Sequence, residues 1–430
     1  MASSVPPPRH LLAVAFHFPP IQASSGVHRL LAFARYLPQH GWQTSVVTAH
    51  PRAYEQQKAE NLGLVPPGTQ VIRAAAWDTK RHFSIGGRYL QTMALPDRWQ
   101  SWILPAFVAA LRATRRQHFD AILTTFPIAS AHAVGLLLHR ATGLPWIADF
   151  RDPMVQEGYP TDARTWRNWD RLERAVFAAA DAITVTTDRT RAYYARRYGN
   201  PLASKVTTIS NGFDPEVFPT APDPSPPRAA GDGPLTLLHS GVMYPSERNP
   251  VPFFRAVAAL KAAGEPAVRQ LRILFRDSGH DERYQETVRN LGLQDVIQFL
   301  PSLPYHEAVA EMLQVDGLLV FQSADCESQI PAKVYEYLYA GRPIVGIVHP
   351  DGDTADLLRR MQVPAVAALE DEAAIARLLR SILPVIRGGH YPLPDRATVM
   401  TLSRSARTTE FAAVLDGVLT RHGATVSEGK

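Results

Sequence analysis

Short apolar or β-branched runs alternate with longer helical patterns from one end of the chain to the other, and this rhythm constrains the fold most. A run that is apolar on both of its faces must be covered on both, which a parallel strand between helical layers achieves. Seven such runs fall between Leu11 and Ile209, and five more between Leu235 and Ile347. Repeated strand–helix–strand units and mostly parallel sheets follow. Residues 218–234 separate the two series; they are rich in Pro and Gly and lack apolar periodicity, as an interdomain linker does. The expected class is α/β, with two doubly wound Rossmann-like domains facing across a cleft: residues 1–217, the linker 218–234, and residues 235–400. A last helical stretch at about 406–422 follows the second sheet and could pack back on the first domain.

Length agrees, since 430 residues exceed the size at which a single hydrophobic core stops growing. Lys and Arg total 45 against 40 Asp and Glu, a net charge of +5. That balance does not suit a nucleic-acid protein; it fits an anionic small substrate or an anionic lipid. Cys326 is the sole cysteine, so neither an intrachain disulfide nor a cysteine-based zinc site can form, and a cytoplasmic setting is expected. The opening MASSVPPPRH precedes too short an apolar run for a signal peptide, and no window is apolar enough to span a bilayer. Any membrane contact is expected to be peripheral, at the inner face.

Several segments carry chemistry. After the first strand, Ser24, Ser25 and Gly26 open onto a helix, where backbone N–H groups can approach an anion; a plain turn is the equal alternative. LPWIADFRDPM (144–154) runs a buried strand into Asp149, Arg151 and Asp152, placed where open α/β sheets bind ligands. The same charges could simply tie a loop. Ser130 and His132 follow another strand end, and His132 could touch a sugar hydroxyl or merely cap a helix. In the second half, Glu327, Ser328 and Gln329 lead to a helix with Lys333 in its first turn and Glu336 on the same face. A lysine there opposes the helix dipole, which a bound anion would explain. A surface Lys–Glu pair is the alternative. Arg248, after the first strand of the second series, is a second candidate phosphate contact or a solvated arginine. Asp351 and Asp353 form an acid-x-acid pattern, but Asp353 is expected to cap the next helix, so no metal site is assigned.

In their order, the FPP…SSG loop, PWIADFRDP (145–153), SNGFDPEVF (210–218), HSGVMY (239–244) and IPAKVYEYLYAGRPIVGIV (330–348) resemble the GT-B glycosyltransferases of family 4. The last is the most specific, typical of a polysaccharide- and glycolipid-building branch. The resemblance implies a retaining glycosyltransferase that binds a UDP- or GDP-linked sugar without a metal or other cofactor. It implies that Arg248 and Lys333 hold the donor diphosphate, although Val242 replaces an arginine usual in the family. It further implies that Glu336 binds the donor ribose, that Gly26 faces the diphosphate, and that Asn211 and Asp214 are structural. The family's first acid falls on Ser328, one position from Glu327.

On this reading the nucleotide base rests on backbone groups around Leu303, in residues 301–305. His132, Asp149 and Asp152 act on the sugar, with Arg151 and Ser130 toward the acceptor. The segment 98–117 carries Trp99, Trp102, Ile103, Phe107 and Leu111 with Arg112, Arg115 and Arg116, and either packs into the core or rests on an anionic bilayer. Two other functions share this architecture: a UDP-sugar 2-epimerase, and a non-catalytic scaffold in polysaccharide assembly.

Overall fold

The computed structural model describes residues 7–22, 25–84, 86, 88–216 and 233–428. The chain divides into two compact units, Met1–Ser210 with Arg404–Lys430, and Asn211–Ser403. Ser24 and most of the expected linker lie outside the described residues.

The first unit is built on β1 (Arg9–Val14), β2 (Trp42–Ala49), β3 (Gln70–Ala74), β4 (Ala121–Thr125), β5 (Trp146–Arg151), β6 (Ala182–Val185) and β7 (Val206–Thr208). They form one sheet in the order β3-β2-β1-β4-β5-β6-β7, with every pairing parallel. Parallel neighbours need crossovers, here carried by α1 (Ser25–Tyr36), α2 (Ile103–Arg116), α3 (Ala129–Thr142), α4 (Ala163–Ala179) and α5 (Asp188–Tyr198). The side chains of β1 alternate between two cores, as the period of a strand requires. Leu12 and Val14 meet Trp102, Ala106, Val134 and Phe177 on one face, while Leu11 and Ala13 meet Leu30, Leu31 and the helix Arg404–Glu428 on the other. That carboxy-terminal helix belongs to the first unit because Phe411 stacks on Phe33, centroids 4.2 Å apart. Its Asp416 also accepts hydrogen bonds from Arg9 (2.7 Å) and the Trp42 indole (3.0 Å). Burial of Phe411 and Leu415 contributes roughly 1.5–3 kcal/mol each.

Apart from exposed Leu104, the large apolar side chains of the segment 98–117 face this core. Trp102, Ala106 and Ala110 are fully buried, and Trp99, Ile103, Phe107 and Leu111 pack against them.

The second unit contains β8 (Leu235–Ser240), β9 (Leu271–Arg276), β10 (Ile297–Leu300), β11 (Gly317–Gln322), β12 (Ile344–Val348) and β13 (Val366–Ala367), ordered β10-β9-β8-β11-β12-β13 and again parallel. Its crossovers include α6 (Val251–Ala262), α7 (Asp281–Asn290), α8 (Tyr305–Gln314), α9 (Ala332–Ala340), α10 (Asp353–Arg360) and α11 (Glu372–Arg387). The first unit ends at Ser210 and not at 217, because Phe213 is buried in the second core. Its ring lies 4.3 Å from that of Tyr339, and its backbone bridges to Ser403, where the chain leaves the unit. In each sheet the strand order reverses once, between β1 and β4 and between β8 and β11, and the carboxyl ends at such a reversal form a crevice.

Candidate functional site

In the second unit, β8 ends at Ser240, and the next residue, Gly241, adopts φ +117. Lys333, in the first turn of α9, donates to the Ser240 carbonyl, and a Cβ on Gly241 would collide with its ammonium. The backbone angle favours glycine here, and any side chain would displace the Lys333 ammonium. Burial, and then the neighbouring Arg248 charge, lower the Lys333 pKa to about 7, against the pull of Glu336 and Asp277. Arg248 sits in a turn whose backbone N–H reaches the Tyr244 carbonyl (2.8 Å); its guanidinium lies 5.6 Å from the Tyr244 ring centroid and donates to the Val242 carbonyl (3.3 Å). Glu336, one turn beyond Lys333, accepts a hydrogen bond from the Tyr305 hydroxyl (2.8 Å) at the start of α8. The fold thus brings Arg248, Lys333 and Glu336 together and adds Gly241 and Asp277, which sequence reasoning missed. Gly241 was detectable as a glycine directly after a strand.

Leu303 is half-buried in the loop before α8. Arg276, the last residue of β9, steadies that loop by donating to the Pro301 carbonyl (2.7 Å) while paired with Glu311 (2.9 Å). Ser328 lies in the loop after β11, which buried Gln322 organises by donating to the Cys326 (2.6 Å) and Gln329 (2.9 Å) carbonyls and accepting from Thr354 (2.5 Å). The helix beyond starts differently from expectation. Gly352 occupies the cap position of α10, and Asp353 is already inside its first turn with its N–H on the Glu327 carbonyl (2.7 Å). Among the described residues, no group of three His, Cys, Asp or Glu side chains is placed to hold a metal ion.

In the first unit, the carboxyl ends of β1 and β4 frame a depression lined by Ala15, Phe16, His17, Gly26 and residues 125–128. Gly26 is there because α1 starts beside it. His17, also missed from sequence, is a neutral imidazole near pH 7, since burial and then the Arg151 and Arg98 charges lower its pKa to about 4. Arg151 reaches the Phe126 carbonyl (3.2 Å) from a positive φ of 63°, at a register shift between β5 and β6. Asp152 follows, half-buried, and accepts one hydrogen bond, from Thr186 (3.3 Å). Burial raises its pKa, opposed by Arg151 and Thr186.

Three expected site residues are instead committed to the fold. Asp149 is buried and saturated: Arg29 donates to both oxygens (3.0 and 3.1 Å), joined by Thr184 (2.7 Å) and Thr125 (3.0 Å). Burial pushes its carboxyl up, but Arg29 and Thr184 outweigh this and hold it below the usual carboxylate range. Because Arg29 also donates to the Ile209 (2.9 Å) and Ser210 (3.1 Å) carbonyls, the pair fastens α1 and β5 to the end of the first unit. His132 is fully buried beside Phe150, hydrogen-bonded to Thr124 (2.7 Å), and burial lowers its pKa to about 3, so it cannot reach a sugar from this position. Ser130 is buried with its N–H and hydroxyl both on Asp97 (2.7 and 2.9 Å), which serves the N-terminus of α3 as a remote cap.

Residues 26–212 match the glycosyl transferase 4-like domain family. No curated protein matches the chain. Among solved structures, HepE of Anabaena in complex with UDP has 13% identity, a TM-score of 0.66, and coverage of 95% of this chain and 100% of its own. Sucrose-phosphate synthase from Thermosynechococcus elongatus has 14% identity, a TM-score of 0.61, and 98% coverage of each chain. WaaG, a glycosyltransferase involved in lipopolysaccharide biosynthesis, has 14% identity, a TM-score of 0.63, and coverage of 94% of this chain and 100% of its own. At such identities the structural likeness establishes the fold, two Rossmann-like domains of GT-B type, and the family match covers most of the first unit but less than half of the chain. Residues 26–212 thus resemble a glycosyl transferase 4-like domain, and the whole chain has the GT-B fold of these structures.

Proposed function

We propose that the protein moves a sugar from a nucleoside-diphosphate donor to a glycan or lipid-linked acceptor, with retention of anomeric configuration. Lys333 carries this reading. Its ammonium sits at the carboxyl end of β8, close against Gly241 and within electrostatic reach of Arg248. Two adjacent cations are unfavourable until an anion joins them, and a diphosphate supplies the charge. Cleavage of the bond between the sugar and the donor phosphate builds negative charge on the departing diphosphate, which Lys333 and Arg248 would stabilise. Glu336 would accept hydrogen bonds from the ribose hydroxyls, with the base against backbone near Leu303 and the donor sugar toward Ser328. On the first unit, Gly26, Arg151 and Asp152 are the groups we assign to sugar and acceptor. Retention rests on the family resemblance.

UDP is the first nucleotide to test, because HepE of Anabaena was crystallised with UDP and with UDP-glucose. The cations come from side chains, so UDP or GDP should bind in EDTA. A charge-assisted contact is worth about 1.5–3 kcal/mol, so Lys333→Ala should weaken UDP binding roughly 10- to 150-fold while uridine binding barely changes. Calorimetric titration decides: loss of all binding in EDTA, or unchanged UDP affinity in Lys333→Ala, refutes the assignment.

A further inference from the structure

The depression at the carboxyl ends of β1 and β4 holds a polar group that the fold itself leaves unused. Phe16, Phe126, Pro127 and Ile128 give it apolar walls, and the polar side chains lining it are Thr125 and His17. Thr125 commits its hydroxyl to Asp149 (3.0 Å). His17 Nδ1 is buried and, among the described residues, has no hydrogen-bond partner. A buried polar atom left unpaired is costly, so its presence in a well-packed loop points to a partner that arrives with a ligand.

The loop bearing His17 is held firmly. The Tyr54 hydroxyl donates to the Phe16 carbonyl (2.7 Å) and accepts from the Phe18 N–H (3.3 Å), gripping the backbone on both sides of His17. Thr48 donates to the same Phe16 carbonyl (2.9 Å), and Arg73 donates to the carbonyl of Pro19. The imidazole stands edge-on to the rings of Tyr54 (centroids 6.5 Å apart) and Trp99 (5.9 Å). This packing fixes the direction of the ring before any ligand arrives, which is the preorganisation a binding side chain needs. Burial and the charges of Arg151 and Arg98 keep the ring neutral near pH 7. A neutral imidazole has one donor and one acceptor nitrogen, the complement of a hydroxyl group. Both cations that influence it are engaged elsewhere: Arg98 with Glu55 (2.9 Å) and Asp78 (3.4 Å), and Arg151 with the Phe126 carbonyl (3.2 Å). Apolar walls beside one neutral hydrogen-bonding group suit a sugar ring, which presents C–H faces and hydroxyls together.

We propose that His17 binds the acceptor, hydrogen-bonding a hydroxyl of a neutral sugar ring at the acceptor's reacting end. The inference rests on the transferase reading and supplies the chemistry of its acceptor. Ligand-observed NMR titration of the full chain with methyl β-glucopyranoside, methyl β-galactopyranoside and methyl α-mannopyranoside tests it, with inorganic phosphate as the anionic comparison. At least one hexoside should bind the parent. One net hydrogen bond sets the scale, so His17→Phe should weaken that hexoside roughly 2- to 12-fold. His17→Gln, whose amide both donates and accepts as the imidazole does, should keep most of the affinity. His17→Phe removes a buried unpaired nitrogen, so its melting temperature should equal or exceed the parent's. A lower melting temperature with hexoside binding intact would assign His17 to folding and overturn the proposal. UDP affinity should be the same in all three proteins, because the proposed nucleotide residues lie on the second unit. No hexoside binding to the parent, equal hexoside affinity in His17→Phe, or a fall of UDP affinity in that variant overturns the proposal. So does phosphate that displaces the hexoside and is itself lost in His17→Phe, since the depression would then be an anion site. Failure of UDP to bind the parent while the hexoside still binds strikes the donor-site reading and leaves this assignment standing.

Discussion

Gly241→Ala probes the proposed donor site at its tightest point. At φ +117 an alanine is strained whatever its surroundings, at a cost of about 1–3 kcal/mol. Its methyl group would also meet the Lys333 ammonium and drive it off the Ser240 carbonyl. A displaced lysine forfeits its charge-assisted contact with diphosphate, about 1.5–3 kcal/mol, or roughly 10- to 150-fold in Kd. Titration calorimetry with UDP should show a loss in that range, and uridine should bind nearly as before. The decisive comparison is the double substitution. In a Lys333→Ala background the methyl group meets no ammonium, so Gly241→Ala should add little, because both changes act on one contact. Parent-like UDP affinity in Gly241→Ala, or full additivity of the two losses, would show that Lys333 does not bind the diphosphate from this position.

Other consequences are equally open to measurement. Glu336→Gln should weaken UDP and uridine alike, and 2′-deoxy-UDP should already bind the parent poorly; a selective loss of UDP alone contradicts the ribose assignment. An anion raises the pKa of Lys333 from about 7, so UDP affinity should be full below that pH and fall as pH rises above it, with no such fall in Lys333→Ala. Asp149→Asn leaves Arg29 buried without its counter-charge and should destabilise the first unit by about 3–5 kcal/mol, read from urea unfolding. Asp152→Asn should leave the melting temperature nearly unchanged and reduce turnover strongly; a large drop in stability with normal activity assigns Asp152 to folding instead.

The sequence alone determined the architecture. Runs such as Trp146–Arg151 and Ile344–Val348 are buried on both faces, a pattern compatible with parallel strands between helices and little else. β13 escaped notice because two residues have no periodicity. The proposed donor residues Lys333 and Glu336 were legible because they lie one turn apart on a single helix, so local spacing already put them on the same face. The tertiary structure decided the rest. Asp149, Arg151 and Asp152 look equivalent at a strand end, yet Arg29, distant in sequence, neutralises the first, and the register shift with its positive φ at Arg151 sets the other two apart. His132 and Ser130 were likewise claimed by Thr124 and by Asp97. Gly241 acquired its role only when α9 laid Lys333 against it. Periodicity reports which face of an element is buried, because neighbours along the chain fix that geometry; which polar group satisfies which depends on contacts that exist only after the chain has folded.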